Sequence, residues 1–385
     1  MKRQKIKLPV RIKKPILASG SQTKNTVCFA KNNLALLGSV RLDLNHPGDF
    51  TIFQREIKHF LKQKPKIVAH DIHPEYQSTK YINQLPSGNL KLLAIQHHHA
   101  HIASCMAENG MKNQKVIGVA FDGTGLGTDN KLWGAEFLIG DYKSFIRGAY
   151  LKEIPLLGGE KAIVEPYRLS LAWLYLIYKE RFWDLKISFI KGVDKKKWPI
   201  LKKMFLSGLN SPPASSIGRL FDAVASLVLS RYRADFEAEL AIKLEKLASE
   251  WKLPVSSYKF KIVRFKSAYI IDPAWMFKQI VQDLLKEEPK AKIACRFHLT
   301  VASMLKQTSK ILRRNTGLNK IVLSGGVFQN KLLLSLSLDL LYKEGFRVFT
   351  HKDLSCNDSC ISLGQVLIAN FSRIRSQCAS GIPPA

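Results

Sequence analysis

Four of the chain's ten histidines fall within five positions, in Gln96-His97-His98-His99-Ala100-His101. His97 and His101 are four apart, so on a helix their imidazoles share a face and can grip one metal ion. His98 and His99 point elsewhere. Two histidines leave a metal site incomplete, so carboxylates must come from other segments, and the absence of a His-Glu-x-x-His pattern argues against a zinc protease. One source is Phe121-Asp122-Gly123-Thr124-Gly125-Leu126-Gly127, where an aspartate ends an apolar strand and alternate glycines follow. Asp122 can ligate a metal or orient a nucleophile there. Gly123, Thr124, Gly125 and Gly127 can bring backbone N–H groups close to a phosphate. A tight Asp-Gly hairpin accounts for the same residues. In Leu323-Ser324-Gly325-Gly326-Val327-Phe328-Gln329-Asn330 a strand runs into Gly-Gly and opens a helix, which makes a phosphate seat or a plain β–α turn. Asn330 is then placed to hydrogen-bond a sugar or base. Asp358, in Asn357-Asp358-Ser359, stands either at a ligand edge or as a helix N-cap. Asp222, on the otherwise apolar helix 219–231, needs a partner, a ribose hydroxyl or simply Arg219 or a backbone group.

These groups need elements to hold them. KIVAHD (66–71) reads as a short β-branched strand ending in polar residues. Residues 92–110 begin as a strand and become a helix that stops at Gly110. Residues 116–129 form an apolar strand running into a glycine-rich turn, and 132–141 the returning strand. Strands are also expected at 25–31 and 34–43, and a helix at 50–63. The middle, 162–312, is mostly helical, with strands at 260–272. The close is strand 320–330, helix 331–344, strand 347–351 and helix 360–371. Glycine turns directly after apolar strands indicate α/β layers with ligands at the strand C-terminal ends.

The 385 residues include 60 Lys plus Arg against 30 Asp plus Glu, a formal net charge of +30. A hydrophobic fraction of 46% excludes a disordered chain. No window reaches the ~18 uncharged apolar residues of a membrane span, the mean hydropathy is −0.07, and the basic start has no apolar h-region behind it. No membrane insertion is expected. Six scattered cysteines without a CxxC pair indicate a reducing, cytoplasmic setting. Cys356 and Cys360 lack the further soft ligands that a zinc site needs. The excess charge suits a polyanion, an acidic partner or an anionic substrate. A nucleic acid is compatible with it but not favoured, because no aromatic-plus-basic motif appears.

Taken in order, VAHDIHPEYQSTKY (68–81), QHHHAHIASCMAENG (96–110), VIGVAFDGTGLGTDNKLWGAEF (116–137), Gly158-Gly159-Glu160 with Glu165-Pro166-Tyr167-Arg168, SSIGRLFDAVASL (215–227), LSGGVFQNKLLL (323–334) and NDSCISLGQ (357–365) resemble the C-terminal half of the HypF family of hydrogenase-maturation carbamoyltransferases. The match runs from about Leu17 to Phe371. The same module is similar to TsaD, the tRNA threonylcarbamoyl transferase, and to antibiotic O-carbamoyltransferases. The resemblance implies an α/β, two-lobed actin/hexokinase-like (ASKHA) fold with helical insertions. Its expected division is a basic tail (1–18), a first lobe (19–155), a second lobe (156–371) and a tail (372–385).

The resemblance also implies transfer of a carbamoyl group from carbamoyl-adenylate to the C-terminal cysteine of HypE, in making the cyanide ligand of nickel–iron hydrogenase. It places a divalent metal, Fe2+ or Zn2+, on His97, His101, Asp122 and Asp358. It places the AMP moiety, derived from ATP, on Gly123, Thr124, Gly125, Gly127, Asp222, Gly325, Gly326 and Asn330, and gives His98 or His99 the thiol proton. The family's N-terminal modules are missing here, so a separate acylphosphatase/YrdC-type half is expected to make the carbamoyl-adenylate. Where the family usually has Asn-Asp-Gly-Gly, this chain has Asn357-Asp358-Ser359-Cys360; where it has Tyr-Glu-Gly-Gln, the chain has Phe236-Glu237-Ala238-Glu239. The alternatives are a tRNA-modifying transferase of the TsaD kind and a degenerate, non-catalytic binding module.

Overall fold

Lysines alternating with apolar residues start the fold. In the computed structural model, which describes residues 3–86 and 90–372, Gln4–Ala18 form β1, with Leu8, Ile12 and Ile16 buried and Lys5, Lys7 and Arg11 exposed. This corrects the expectation of a tail: basic side chains line the outer face of a strand whose inner face is core. The tail expected at 372–385 lies, from 373 on, outside the described residues. Strands β2 (Thr23–Asn25), β3 (Cys28–Leu37) and β4 (Arg41–Asp43), helix α1 (Pro47–Leu61), β5 (Ile67–Asp71), α2 (Gln77–Asn83), β6 (Lys91–Ile95) and α3 (His97–Glu108) complete the first half. The sheet order is β3-β1-β5-β6. β1 runs antiparallel to β3 and parallel to β5, and β5 parallel to β6.

The second sheet repeats this plan on a larger scale. β7 (Val116–Leu126), β8 (Leu132–Gly140) and β9 (Phe145–Leu151) form an antiparallel meander. The middle of the chain supplies β10 (Ile154–Pro155), α4 (Lys161–Val164), α5 (Tyr167–Tyr178), α6 (Ser188–Lys191), α7 (Trp198–Ser207), β11 (Pro213–Ser216), α8 (Ile217–Leu229), α9 (Glu239–Glu250), β12 (Lys261–Phe265), β13 (Ala268–Asp272), α10 (Ala274–Leu285) and α11 (Lys290–Thr316). Then β14 (Lys320–Ser324), α12 (Lys331–Lys343), β15 (Arg347–Phe349) and α13 (Ile361–Phe371) close it. β14 pairs in parallel with β7, and β15 with β14. Antiparallel strands extended by parallel ones, present in both sheets, are the two-lobed α/β actin/hexokinase-like architecture. The meander 116–151, expected in the first lobe, belongs to the second sheet, because Ile117–Ala120 pair with Ile321–Ser324.

The last helix ties the halves together. α13 returns to the first sheet and packs on α3 and β1. Ile361, Leu363, Val366 and Leu367 share a buried core with Ile16, Ala69 and Ala103. Gln365 fixes the contact by accepting from Gly20 N at 2.9 Å and donating to Gly20 O at 3.2 Å. The two helices touch at Gly364, where a Cβ would overlap the Ala100 carbonyl. A backbone neighbour cannot swing away, so Gly364→Ala must push α13 off α3. We expect a loss of about 3 kcal/mol in urea denaturation.

Candidate metal centre

Four elements meet at this helix contact. α3 opens with Gln96 as its N-cap, whose side chain accepts from His99 N at 2.8 Å, and His97 and His101 lie on its buried face toward β7. Asp122 sits where the β7–β8 ladder breaks between Phe121 and Gly125, a bulge that turns its carboxylate out of the sheet. Its Oδ1 accepts from Gly326 N at 3.0 Å. Asp358 is free for the site because its neighbour takes the capping role: Asn357 Oδ1 accepts from Ser359 N at 3.1 Å.

His97 Nε2 lies 3.3 Å from Asp122 Oδ2 and 3.6 Å from Asp358 Oδ1; His101 Nε2 lies 3.7 and 3.6 Å from the same oxygens. One ligand atom from each of the four residues falls within 4.8 Å of all the others. Ligands on a tetrahedral zinc with bonds of ~2.1 Å are ~3.4 Å apart, so the spacing suits one small divalent ion. Both Nε2 atoms are buried without a hydrogen-bond partner, a state that costs about 1–3 kcal/mol each unless something binds them. Two imidazoles and two carboxylates fit Zn2+ or Fe2+ and balance its charge. Asp71 Oδ2 accepts from His97 Nδ1 at 2.7 Å, which sets that ring's tautomer and leaves Nε2 bare.

The electrostatics tell the same story. Burial opposes charge on His97, but Asp358, Asp71 and Asp122 outweigh it and raise its pKa well above the ordinary value. Burial likewise opposes charge on His101, and Cys360, Asp122 and Asp358 raise it. Burial pushes Asp122 and Asp358 up, yet the two histidines hold Asp122 well below the ordinary range and Asp358 at about 2. The cluster is a buried anionic socket that draws positive charge.

The other candidates separate. His99 turns away, its Nε2 2.6 Å from the Asp141 carbonyl, so it does not reach the cluster. His98 is fully buried with Nδ1 3.0 Å from Gln96 Nε2. Burial, followed by the neighbouring His97, pushes its pKa well below the ordinary value, so it is a poor proton acceptor. The glycines expected to cradle phosphate have packing reasons. Residues 123–126 continue β7, and side chains on Gly125 and Gly127 would strike the rings of His97, His98 and Trp133. Gly325, at φ +103, lies against the Phe121 backbone. Asn330 caps α12 through Leu333 N at 2.8 Å and meets His298 Nε2 at 3.0 Å. Asp222 pairs with Arg219 at 2.7 Å. Gly123 lies beside Glu237, which bridges to Lys24 at 3.1 Å. Thr124 and Gly125 line a cavity of about 290 Å³ with Gln22, His73, Tyr76 and Glu160. Of the residues that sequence reasoning missed, Asp71 carried a signal in the polar end of its strand.

The family matches assign this fold and site to a carbamoyltransferase domain of the Kae1-like type. Residues 11–108 match the family described as "HypF Kae1-like domain", and residues 118–365 match "Carbamoyltransferase, Kae1-like Domain, second subdomain". The chain belongs to the HypF carbamoyltransferase family. It is similar to carbamoyltransferase HypF2 of Cupriavidus necator, 32% identical over 92% of this chain and 46% of that protein. A HypF homolog of the same organism is 31% identical over 92% of this chain and 91% of its own length. A crystal structure of full-length HypF in its phosphate- and nucleotide-bound form superposes with a TM-score of 0.88 at 40% identity, covering 95% of this chain and 47% of that one. The chain thus spans about half the length of most of the curated relatives it matches. Among the described residues no helix is long and apolar enough to cross a membrane.

Two predictions follow from the charges and the backbone. Raised histidine pKa values stabilise the metal-free fold below the ordinary histidine value, and that contribution is lost as pH rises through the raised values. The depressed aspartates contribute above the ordinary carboxylate value and lose it as pH falls through their folded values, about 2 for Asp358. A divalent ion needs bare rings and binds better as protons leave. The melting temperatures of zinc-loaded and chelator-treated protein should therefore diverge as pH rises from the ordinary histidine value upward through the raised ones. Separately, Ala238 adopts φ +63, a left-handed conformation that glycine takes without strain, so Ala238→Gly should stabilise by about 1 kcal/mol in urea denaturation.

Proposed function

We propose that this chain is the carbamoyl-transfer half of a HypF system. In this reading it passes a carbamoyl group from carbamoyl-adenylate to the C-terminal cysteine of HypE, and an adenylating module outside these residues supplies the substrate. The observation that carries the reading is the pair of unpartnered imidazole nitrogens facing Asp122 and Asp358, in a chain of this family.

A divalent ion on His97, His101, Asp122 and Asp358 supplies Lewis acidity toward the carbamoyl oxygen or the phosphate. The chain's own residues prepare that site. Asp71 holds His97, the Gly326 N–H holds Asp122, and Asn357 frees Asp358 from capping. Burial keeps water from the ligands, so the reactive mixed anhydride is protected from hydrolysis. The attacking thiolate comes from the partner, so no internal nucleophile is required. Neither His99, turned toward Asp141, nor the weakly basic His98 is assigned the thiol proton.

The test is direct. Zinc- or iron-loaded protein mixed with carbamoyl-adenylate and HypE should yield HypE thiocarboxamide by mass spectrometry, and His97→Ala with His101→Ala should abolish it. Metal-loaded protein that gives no adduct would sink the reading. Formation of threonylcarbamoyl-adenosine on tRNA instead would favour the TsaD-type alternative.

A further inference from the structure

Behind His101, on the side away from Asp122 and Asp358, lie four enclosed side chains that the transfer reaction does not use: Ser324, His351, Glu108 and Cys360. Three of them form a series of hydrogen bonds. His101 Nδ1 is 3.3 Å from Ser324 Oγ, Ser324 Oγ is 2.9 Å from His351 Nε2, and His351 Nδ1 is 2.6 Å from Glu108 Oε2. The side chains of His351 and Glu108 are only 4% and 7% exposed. The other oxygen of Glu108 accepts the backbone N–H groups of Lys352, Asp353 and Leu354 at 2.5–3.0 Å. That loop leads from β15 to Asp358. Glu108 is also the last residue of α3, seven positions beyond His101. One carboxylate therefore touches both the loop that delivers a ligand and the chain of groups behind another ligand.

The chemistry of the series is one-directional where it matters. A metal on His101 Nε2 uses that lone pair, so the ring hydrogen must sit on Nδ1. A serine hydroxyl has one hydrogen and two lone pairs. Ser324 can accept from His101 whether it donates to a neutral His351 or accepts from a protonated one. His97 has the direct version of this support, a carboxylate on Nδ1; His101 has an extended one. A rival for the same Nδ1 is Cys360 Sγ, at 3.5 Å.

We propose that Ser324, His351 and Glu108 are positioning residues for His101, a hydroxyl anchored through an imidazole to a buried carboxylate, which fixes the ring with Nδ1 protonated and Nε2 bare toward the metal. The proposal rests on the metal-site reading above.

The test is zinc affinity of the 385-residue chain, measured by competition with a chromogenic chelator. Ser324→Ala removes the link. His351→Asn keeps a donor for Glu108 while removing the contact to Ser324. Each should weaken Zn2+ binding about tenfold or more, with little change in the melting temperature of the metal-free protein. Because the bonds lie in series, the double variant should bind no worse than the weaker single variant. Cys360→Gly should bind like the wild type. Long-range proton–nitrogen NMR of the zinc-loaded wild type should show His101 protonated on Nδ1. Wild-type affinity in Ser324→Ala, additive losses, or a loss confined to Cys360→Gly would overturn the relay while leaving the metal site standing. A wild-type chain that binds no zinc overturns both.

Discussion

Two imidazole nitrogens with no partner, buried opposite two carboxylates, are the demand around which this fold is arranged. Burying such groups is costly, and removing one charge from a buried set costs more than the set contributes. The protein meets the demand by drawing one or two groups from each of four places: an interior helix, a bulge in β7, the turn after β14 and the loop before α13. None of these can shift alone. Asp122 is tied to the Gly326 amide, so the β7 bulge and the β14 turn move together. Asp358 is displaced from helix capping by its own neighbour, so the α13 start is spent on presenting a ligand rather than on ending a loop.

The close approach of α3 and α13 makes that convergence possible. Gly364 allows α13 to lie on the Ala100 carbonyl, one residue before His101. The same helix reaches β1 through Asn370, which accepts from Lys13 N, and the turn after β1 through Gln365, which accepts from Gly20 N. Ligands separated by more than 250 positions in sequence are thereby held within one cluster. At the rim, the exposed Lys24–Glu237 bridge joins β2 to the segment before α9. Exposed pairs of this kind contribute little stability, and its importance is its position over Asp122 and Asp358, both of which act on Lys24.

What could be read from the sequence follows from the range of each signal. The histidine pair and the strand-terminal Asp122 are local patterns, and both are found in the cluster. Asp358 was ambiguous between ligand and cap because the choice depends on Asn357, whose hydrogen bond is invisible in a residue string. β1 was missed because Pro9 and the lysines obscure its alternation; Pro9 falls in the irregular stretch between Lys7 and Ile12, where the ladder with β3 is broken anyway. The glycines of 123–127 are expected to approach a phosphate, and two of them also make room for His97, His98 and Trp133, a packing role that the residue string does not show. Ser324, His351 and Glu108 had no sequence signal at all, since their relation exists only after β14, β15 and α3 have packed together.

The chain's charge takes on a different meaning beside this site. A net charge of +30 describes the surface, whereas the cluster itself is rich in carboxylates: Asp122 and Asp358 face both histidines, and Asp71 supports His97 from behind. A basic surface raises the local concentration of a phosphate ester over the whole molecule. It does nothing to admit that ester to a socket lined by carboxylates, where like charges at short range in a dry site repel strongly. Only a cation inside the socket, with Lys24 at its rim, reverses the local sign. For the anionic substrate proposed above, the global charge would thus serve collection at long range and the cluster acceptance at short range, the second depending on the four ligands rather than on the sixty lysines and arginines.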